Sequence, residues 1–363
     1  MLNLAIIGCG AVVEDLHVPP ILKLARAGAL RVTALVDNNP GRAARLKREF
    51  PAAKVFAAPA DAYADHPVQI TLITSPPGLH LTHGLAAFAA GSHVFTEKPM
   101  VTTGADAERF TAAAAAAKRV LAVGLPRRFF PHVAEVASLI TRGELGDSLT
   151  FTYREGGPYS WPVASEAAFR RETSGGGVLM DKGVHALDTL DQVFGVAEVI
   201  CSEDDSLRGG VEANSRVELS YPQYNVRGEL QLSWDQPLNN GFWIRGSRGE
   251  VSLGLEDIGL YRLRVPGGEW REVRALVSWP STTVEKNPAH ETPDGYYDCI
   301  YLQWVGVVRS VLFGGSPVVD GLKATRVIQT IESAYQRAKP LNLPWLGPPE
   351  RVALAAGHWR ATV

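Results

Sequence analysis

Three cysteines occur in 363 residues, Cys9, Cys201 and Cys299, widely separated and without a CxxC pair. Their scarcity excludes a disulfide framework and a zinc knuckle, and fits a reducing compartment. An excess of positive charge is also missing. Against 36 Lys and Arg stand 38 Asp and Glu, a net charge of -2, with no local basic patch to hold a polyanion. No apolar run reaches the roughly 20 residues a membrane helix needs. The opening MLNLAIIGCGAVV has no Lys or Arg ahead of its short apolar segment, unlike a secretory signal. No internal repeat is present, and the run Ala112–Ala117 is simply strong helix former. These absences point to a cytoplasmic protein whose partner is a small molecule, not nucleic acid or membrane.

What is present is a folding chain, 46% hydrophobic and 20% charged, of a length that suggests two cores. Up to about residue 126, the apolar runs LNLAIIG, RVTALVD, ITLIT, SHVF and RVLAVG alternate with the helical stretches HVPPILKLARAG, PGRAARLKREF, GLHLTHGLAAFAAG and DAERFTAAAAAAK. Strands apolar on every residue are covered on both faces, and interleaved helices imply parallel crossovers, so a doubly wound α/β domain is expected over 1–126. Beyond VGLPRRFFP the texture changes. A helix to about Arg142 and a glycine-rich segment precede alternating strands such as SRVELSY, VRGELQLSW and FWIRGSRGEVSLG. They predict an α+β domain on a mostly antiparallel sheet over 127–345. Within it LKATRVIQTIESAYQRAK is helical, closed by Pro340, and 346–363 reads as a surface tail.

Four constellations carry chemistry. In IIGCGAVV, Gly8 and Gly10 follow a strand and precede a helix, so that this turn, with Ala11 and Val12, lets backbone N–H groups approach a pyrophosphate. Val13 takes the third glycine place, and the bland alternative is a tight strand-to-helix turn. RVTALVD ends in Asp37, somewhat later than the usual ~20 residues for a ribose-binding acid. A carboxylate there, with Asn38 beside it, repels a 2′-phosphate and favours NAD, while Arg42 softens that choice and leaves NADP possible; Asp37 also suits a helix cap. In TSPPGLH, Thr74, Ser75 and Pro76 should wall the dinucleotide crevice. His80 starts the next helix, where a lone histidine is more often a capping or packing residue; its spacing to His83 invites a metal, but no carboxylate completes a site, and none is expected.

In SHVFTEKPM, Glu97, Lys98 and Pro99 arrive at the carboxyl end of a strand, in the same crevice. Proline pushes Lys98 out of the helical region and holds it extended, where its ammonium can be aimed; an ordinary surface ion pair is the alternative. In SGGGVLMDKGVHALD, a helix from Gly177 onward places Asp181 and His185 four apart on one face. The glycines leave room for another backbone or a ligand. A satisfied core histidine is the competing reading. Tyr159 and Trp161 in GGPYSWPV either present flat faces to a sugar ring or pack in the core.

Together these motifs, with SPVVDGLKATRVIQTIESAY near the end, resemble the Gfo/Idh/MocA oxidoreductases over nearly the whole chain. The resemblance implies a Rossmann domain followed by a substrate-binding and oligomerisation domain, a homodimer or homotetramer, and hydride transfer between NAD or NADP and a secondary alcohol or ketone of a sugar, sugar derivative or cyclitol. It assigns catalysis and substrate orientation to Lys98, proton transfer to His185 and substrate binding to Asp181. It also puts Glu97 beside the nicotinamide ribose, Arg128 near the cofactor, an aromatic approach at Tyr297, and a cis bond before Pro99. Val13 and Lys182 depart from the pattern, the latter bearing on substrate charge. Two other activities fit relatives of this kind: redox-assisted elimination or glycoside cleavage with tightly bound NAD, and nicotinamide-binding regulation without turnover. The retained Lys98, Asp181 and His185 speak against the last.

Overall fold

Strands that are apolar along their whole length need cover on both faces, and the first third of the chain supplies helices to give it. The structure, a computed structural model, describes residues 1–162, 166–206, 210–283, 285 and 287–341. The tail expected over 346–363 lies outside the described residues. The chain divides into two compact units, Met1–Phe129 with Ser278–Thr325, and Phe130–Val277 with the described residues from Arg326 onward. Each unit is therefore discontinuous in sequence, a feature that strand and helix patterns do not display.

In the first unit β1 (Leu2–Ile7), β2 (Leu30–Val36), β3 (Lys54–Phe56), β4 (Ile70–Ile73), β5 (His93–Thr96) and β6 (Leu121–Val123) form one sheet. Its order is β3-β2-β1-β4-β5-β6 and all neighbours are parallel. The order reverses between β1 and β4, which opens a crevice outside the carboxyl ends of the strands. The crossovers are α1 (Val18–Arg26), α2 (Pro40–Leu46), α3 (Pro59–Asp65), α4 (His80–Ala89) and α5 (Gly104–Ala117). Sequence patterning overlooks β3 and α3. The strand has three residues and no buried one, and the helix buries only Ala62, so neither leaves an apolar period to read.

Ahead of α1 the helix passes through a π-helical turn, Val13–His17, in which the Val18 N–H bonds to the Val13 carbonyl. Pro19 and Pro20 come next. Neither can donate to the carbonyl four residues back, and each ring crowds it, so the turn before them widens. His17 ends this wide turn buried, at 1% exposure.

The second unit holds α6 (Pro131–Thr141), β7 (Thr150–Gly156), α7 (Arg171–Ser174), α8 (Val178–Asp181), α9 (Gly183–Phe194), β8 (Glu198–Asp204), β9 (Asn214–Tyr221), β10 (Val226–Ser233), β11 (Gly241–Arg245), β12 (Glu250–Leu253), β13 (Leu260–Arg264) and β14 (Arg271–Arg274). Here the period is two. Phe151 and Tyr153 of β7, Val217 and Leu219 of β9, and Phe242 and Ile244 of β11 are buried. Intervening side chains form ion pairs, Arg216 with Glu229 and Arg264 with Glu250. α6 and α9 pack on each other and against β12 and β10, and Phe151, Phe194, Tyr221 and Phe242 cluster with ring centroids 5.3 to 6.3 Å apart.

The segment that rejoins the first unit carries the short pair β15 (Trp279–Pro280) and β16 (His290–Glu291), then α10 (Tyr296–Phe313). α10 sets Trp304, Val305 and Val308 into one core with Ile21, Leu24 and Phe95. α11 (Gly321–Arg337) follows and ends three residues before Pro340, earlier than the expected stop; Pro340 belongs instead to β17 (Ala338–Pro340), parallel to β8. The sheet is thereby completed as β14-β13-β12-β11-β7-β10-β9-β8-β17. A proline with no N–H to give is tolerated on that edge strand.

A Cβ at Gly84 of α4 would lie 2.1 Å from the ring of Phe110 on α5, itself fully buried and 5.7 Å from Phe88. Alanine gains roughly 1 kcal/mol of helix propensity over glycine, but overpacking costs about 1–3 kcal/mol. Gly84→Ala should therefore lower the urea midpoint of unfolding. A midpoint at or above wild type would show that the two helices part freely.

Candidate active site

The turn after β1 is shaped by two glycines used differently. Gly8 has φ +95°, and a Cβ there would come within 2.7 Å of the Thr74 and Ser75 backbone. No other residue fits that approach. Thr74 seals it, its hydroxyl donating to the Gly8 carbonyl at 2.6 Å. Gly10 faces the other way, since a Cβ on it would meet nothing within 4 Å. Ala11 and Val12 begin the helix half-buried, and Val13, in the third glycine place, is buried in the core.

Asp37 ties this turn to its neighbour. One carboxylate oxygen accepts the Cys9 N–H at 2.8 Å, the other the Asn39 N–H at 2.7 Å. The helix cap considered for Asp37 is supplied by Asn39, whose side chain accepts from Gly41 and Arg42 N–H groups. Asn38 is exposed and Arg42 lies in the first turn of α2. The open face at Gly10, the first-turn N–H groups of a helix and a carboxylate at the end of β2 fit a dinucleotide.

At the end of β4, Ser75 Oγ meets His83 Nδ1 at 2.9 Å. His80, 1% exposed, stands between two carbonyls, Nε2 at 2.7 Å from Ser75 O and Nδ1 at 3.0 Å from Pro99 O. A neutral ring donates to one of these carbonyls at a time, the other nitrogen facing the second, and either bond ties the ring between the loops after β4 and β5. Burial pushes His80 below its ordinary pKa, against the pull of the two carbonyls and of Glu97.

Glu97 is the centre of the loop after β5. Its Oε2 accepts the N–H of Lys98 at 3.0 Å, and its Oε1 lies 2.9 Å from His17 Nε2. On the far side of that ring, Trp304 Nε1 donates to His17 Nδ1 at 3.0 Å. An indole N–H can only donate, so Nδ1 is the acceptor and the ring proton sits on Nε2, aimed at the carboxylate. The His17–Glu97 contact has ion-pair distance but is a hydrogen bond from a neutral imidazole. Burial pushes the Glu97 carboxyl up, yet the His17 hydrogen bond and the Lys98 cation hold it below its ordinary value. A Cβ on Gly124 would sit 2.6 Å from Glu97 Oε1, so glycine there makes room for the carboxylate. The Lys98–Pro99 bond is cis.

Arg128 lies in the 3-10 turn Pro126–Phe129 after β6. Tyr297 opens α10 at 61% exposure, ring to ring with Tyr296 at 6.5 Å. It is Tyr296 whose hydroxyl feels the charges of Arg127, Glu97 and Lys98; burial pushes it up to about 12. His17, Trp304 and Tyr296 carry no motif, and only the fold sets them beside Glu97.

In the second unit α8 ends at Asp181 and α9 starts at Gly183, but Lys182 between them is helical at φ -80° and ψ -37°. Asp181 and His185 therefore keep the expected four-residue relation, His185 at 8% exposure. Trp234 Nε1 donates to Asp181 Oδ2 at 3.2 Å, and Lys182 Nζ donates to the Ser233 carbonyl at 3.1 Å. Two consecutive residues of the helical path are so latched to the end of β10. Trp234 stands edge-on to Tyr159 at 5.2 Å and to Phe169 at 5.9 Å, while Trp161 is 39% exposed.

Comparison with known proteins agrees with this fold. The profile of the oxidoreductase family with an NAD-binding Rossmann fold, GFO_IDH_MocA, matches residues 2–125, and that of the GFO/IDH/MocA C-terminal domain matches 133–252. The scyllo-inositol 2-dehydrogenase (NADP(+)) of Bacillus subtilis is 30% identical over 310 residues, 82% of this chain and 84% of its own. The aldose-aldose oxidoreductase of Caulobacter crescentus, solved with glycerol, superimposes with a TM-score of 0.75 at 25% identity, covering 93% of this chain and 97% of that one. Levoglucosan dehydrogenase, solved with NADH and levoglucosan, shares the fold at a TM-score of 0.74 and 19% identity over 93% and 96% of the two chains.

A carboxylate whose pKa is lower folded than unfolded adds stability above its unfolded value and loses it as pH falls through the folded one. For Glu97 the window lies below about pH 4.5. The melting-temperature gap between wild type and Glu97→Gln should be widest near neutrality and narrow in that window. An equal gap at both ends would mean that the Glu97 charge contributes nothing.

Proposed function

Because the chain belongs to the Gfo/Idh/MocA oxidoreductase family, we propose that it moves a hydride between a nicotinamide dinucleotide and a secondary alcohol or ketone of a sugar, sugar derivative or cyclitol. One observation carries the reading: the carboxyl ends of β1, β2, β4 and β5 gather the Gly10 turn, Asp37, Ser75 and the Glu97–Lys98 pair on one edge of a doubly wound sheet.

Gly8, Gly10, Ala11 and Val12 would hold the pyrophosphate, and Asp37, Asn38 and Arg42 the adenosine ribose. Thr74, Ser75 and Pro76 line the middle, and Glu97 and Arg128 the nicotinamide end, with His80 fixing the two loops. An anionic carboxylate at the end of β2 disfavours a 2′-phosphate, so NAD is preferred, and Arg42 leaves NADP usable. When bound, the nicotinamide accepts or returns the hydride. The Lys98 ammonium steadies the negative charge that develops on the substrate oxygen. In the oxidising direction the His185 imidazole takes the hydroxyl proton, a role that a neutral ring, with one nitrogen able to accept, can fill. Asp181, held by Trp234, orients a neighbouring hydroxyl, and Tyr159, Trp161 and Tyr297 offer ring faces to a polyol.

The test is turnover of scyllo-inositol, myo-inositol, D-glucose and levoglucosan with NAD+ and with NADP+. Net formation of reduced dinucleotide from at least one polyol, faster with NAD+, is expected; none from any would overturn the reading. Lys98→Met should bind NADH within several-fold of wild type by fluorescence and lose turnover on the order of 100-fold or more. Wild-type turnover in that variant would remove Lys98 from the chemistry.

A further inference from the structure

The three glycines before α8 leave room for another backbone or a ligand. In the structure that room is filled from within the chain. A Cβ on Gly177 would lie 1.9 Å from the Glu212 carbonyl oxygen, and one on Gly176 would lie 2.0 Å from the Tyr335 hydroxyl.

Glu212 has no exposed surface. Its carboxylate accepts the Gly177 N–H at 3.0 Å on both oxygens, and on Oε1 the Leu179 N–H at 3.0 Å and the Tyr335 hydroxyl at 2.7 Å. Its own carbonyl accepts the Val178 N–H at 2.9 Å. One residue therefore takes three consecutive N–H groups at the start of α8, the groups a helix cannot satisfy for itself. Arg171 completes the setting, 3.8 Å from Oε2 and stacked over the Tyr335 ring at 4.8 Å. Burial pushes the Glu212 carboxyl up to about 7, the Asp204 charge adds to that, and Tyr335 and the backbone N–H groups oppose it. The bonded neighbours are donors, an arrangement matched to the carboxylate.

So enclosed an anion is costly unless it is fully partnered, and what its partners hold still is a turn of four residues that ends in Asp181 and runs helically on to His185. We propose that Glu212, assisted by Tyr335, is the positioning residue for Asp181 and His185: it fixes the turn that carries them and acts on substrate only through them. This rests on the roles given to Asp181 and His185 above.

Glu212→Gln keeps the volume but turns an amide NH2 toward N–H donors. In the full-length variant, hydrogen exchange at the amides of 177–181 should quicken while NADH affinity stays within about twofold. For the polyol of the panel with the highest kcat/KM, that constant should fall on the order of 10- to 100-fold, mainly in kcat. In an Asp181→Asn background the same change should cost clearly less than in wild type, because the part of its effect that runs through the Asp181 carboxylate is already lost. Unchanged exchange, quickened exchange with wild-type kcat/KM, or losses that multiply in the double variant would each overturn the proposal. Should Glu212→Gln not fold, Tyr335→Phe removes one donor and keeps the charge. The same pattern at smaller size is then expected, and wild-type exchange and kinetics would overturn the proposal. Asp181→Asn at wild-type turnover would instead reject the functional reading of Asp181, and this proposal with it.

Discussion

A carboxylate taken out of water must be met by donors on all sides or it will not stay charged and in place. One such group, partly buried in the first unit and wholly buried in the second, stands in each unit of this protein beside the segments that carry its proposed chemistry. In the first, Glu97 receives the His17 ring proton and the Lys98 N–H; in the second, Glu212 receives two backbone N–H groups and a tyrosine hydroxyl. Glycine makes both possible, Gly124 beside Glu97 and Gly176 and Gly177 at Glu212 and its partner. Glu97 adjoins Lys98, and Glu212 holds the turn that ends in Asp181, the two residues to which the proposed function gives chemistry. At Glu97 the donors and the Lys98 cation outweigh the desolvation of the ion, at Glu212 they offset part of it, and in both cases the geometry is passed on along the chain.

The Glu97 arrangement also explains why the first unit needs the segment that returns to it late in the chain. Without Trp304, His17 would be free to carry its proton on either nitrogen, and only one of the two tautomers donates to Glu97. The indole settles the matter by donating to Nδ1. The widened helical turn before Pro19 and Pro20 places His17 to receive it, edge-on to both Phe95 and Trp304. Two prolines near the start and a tryptophan near the end thus cooperate on one proton.

Much of this was legible because it is local. Gly8 and Gly10 between strand and helix, Glu97, Lys98 and Pro99 after a strand, and Asp181 four before His185 are fixed by neighbours in sequence, so residue type and spacing suffice. The same holds for the alternation that yields the parallel sheet and for the period of two in the second unit. What could not be read are the partners. His17, Glu97 and Trp304 are brought together across most of the first unit's sequence, and Glu212 meets both Gly177 and Tyr335, the latter 123 residues on. No spacing rule spans such distances. Asp37 shows the intermediate case: its place at the end of β2 was legible, whereas the competition between Asp37 and Asn39 to cap α2 is decided by which side chain reaches Gly41 and Arg42.

Lys182 shows how a departure from pattern is absorbed. A cation beside Asp181 suggests by itself a change in substrate charge preference, but its ammonium is given to the Ser233 carbonyl, next to the Trp234 indole that holds Asp181. The helical path from Gly177 to His185 is consequently tied on one side to the end of β10 and on the other to Glu212 and Tyr335. A turn held from both sides has few alternative positions, so that His185, in the role proposed for it, need not reorganise when charge develops on the substrate. The ordering cost is met during folding, by bonds made within the protein.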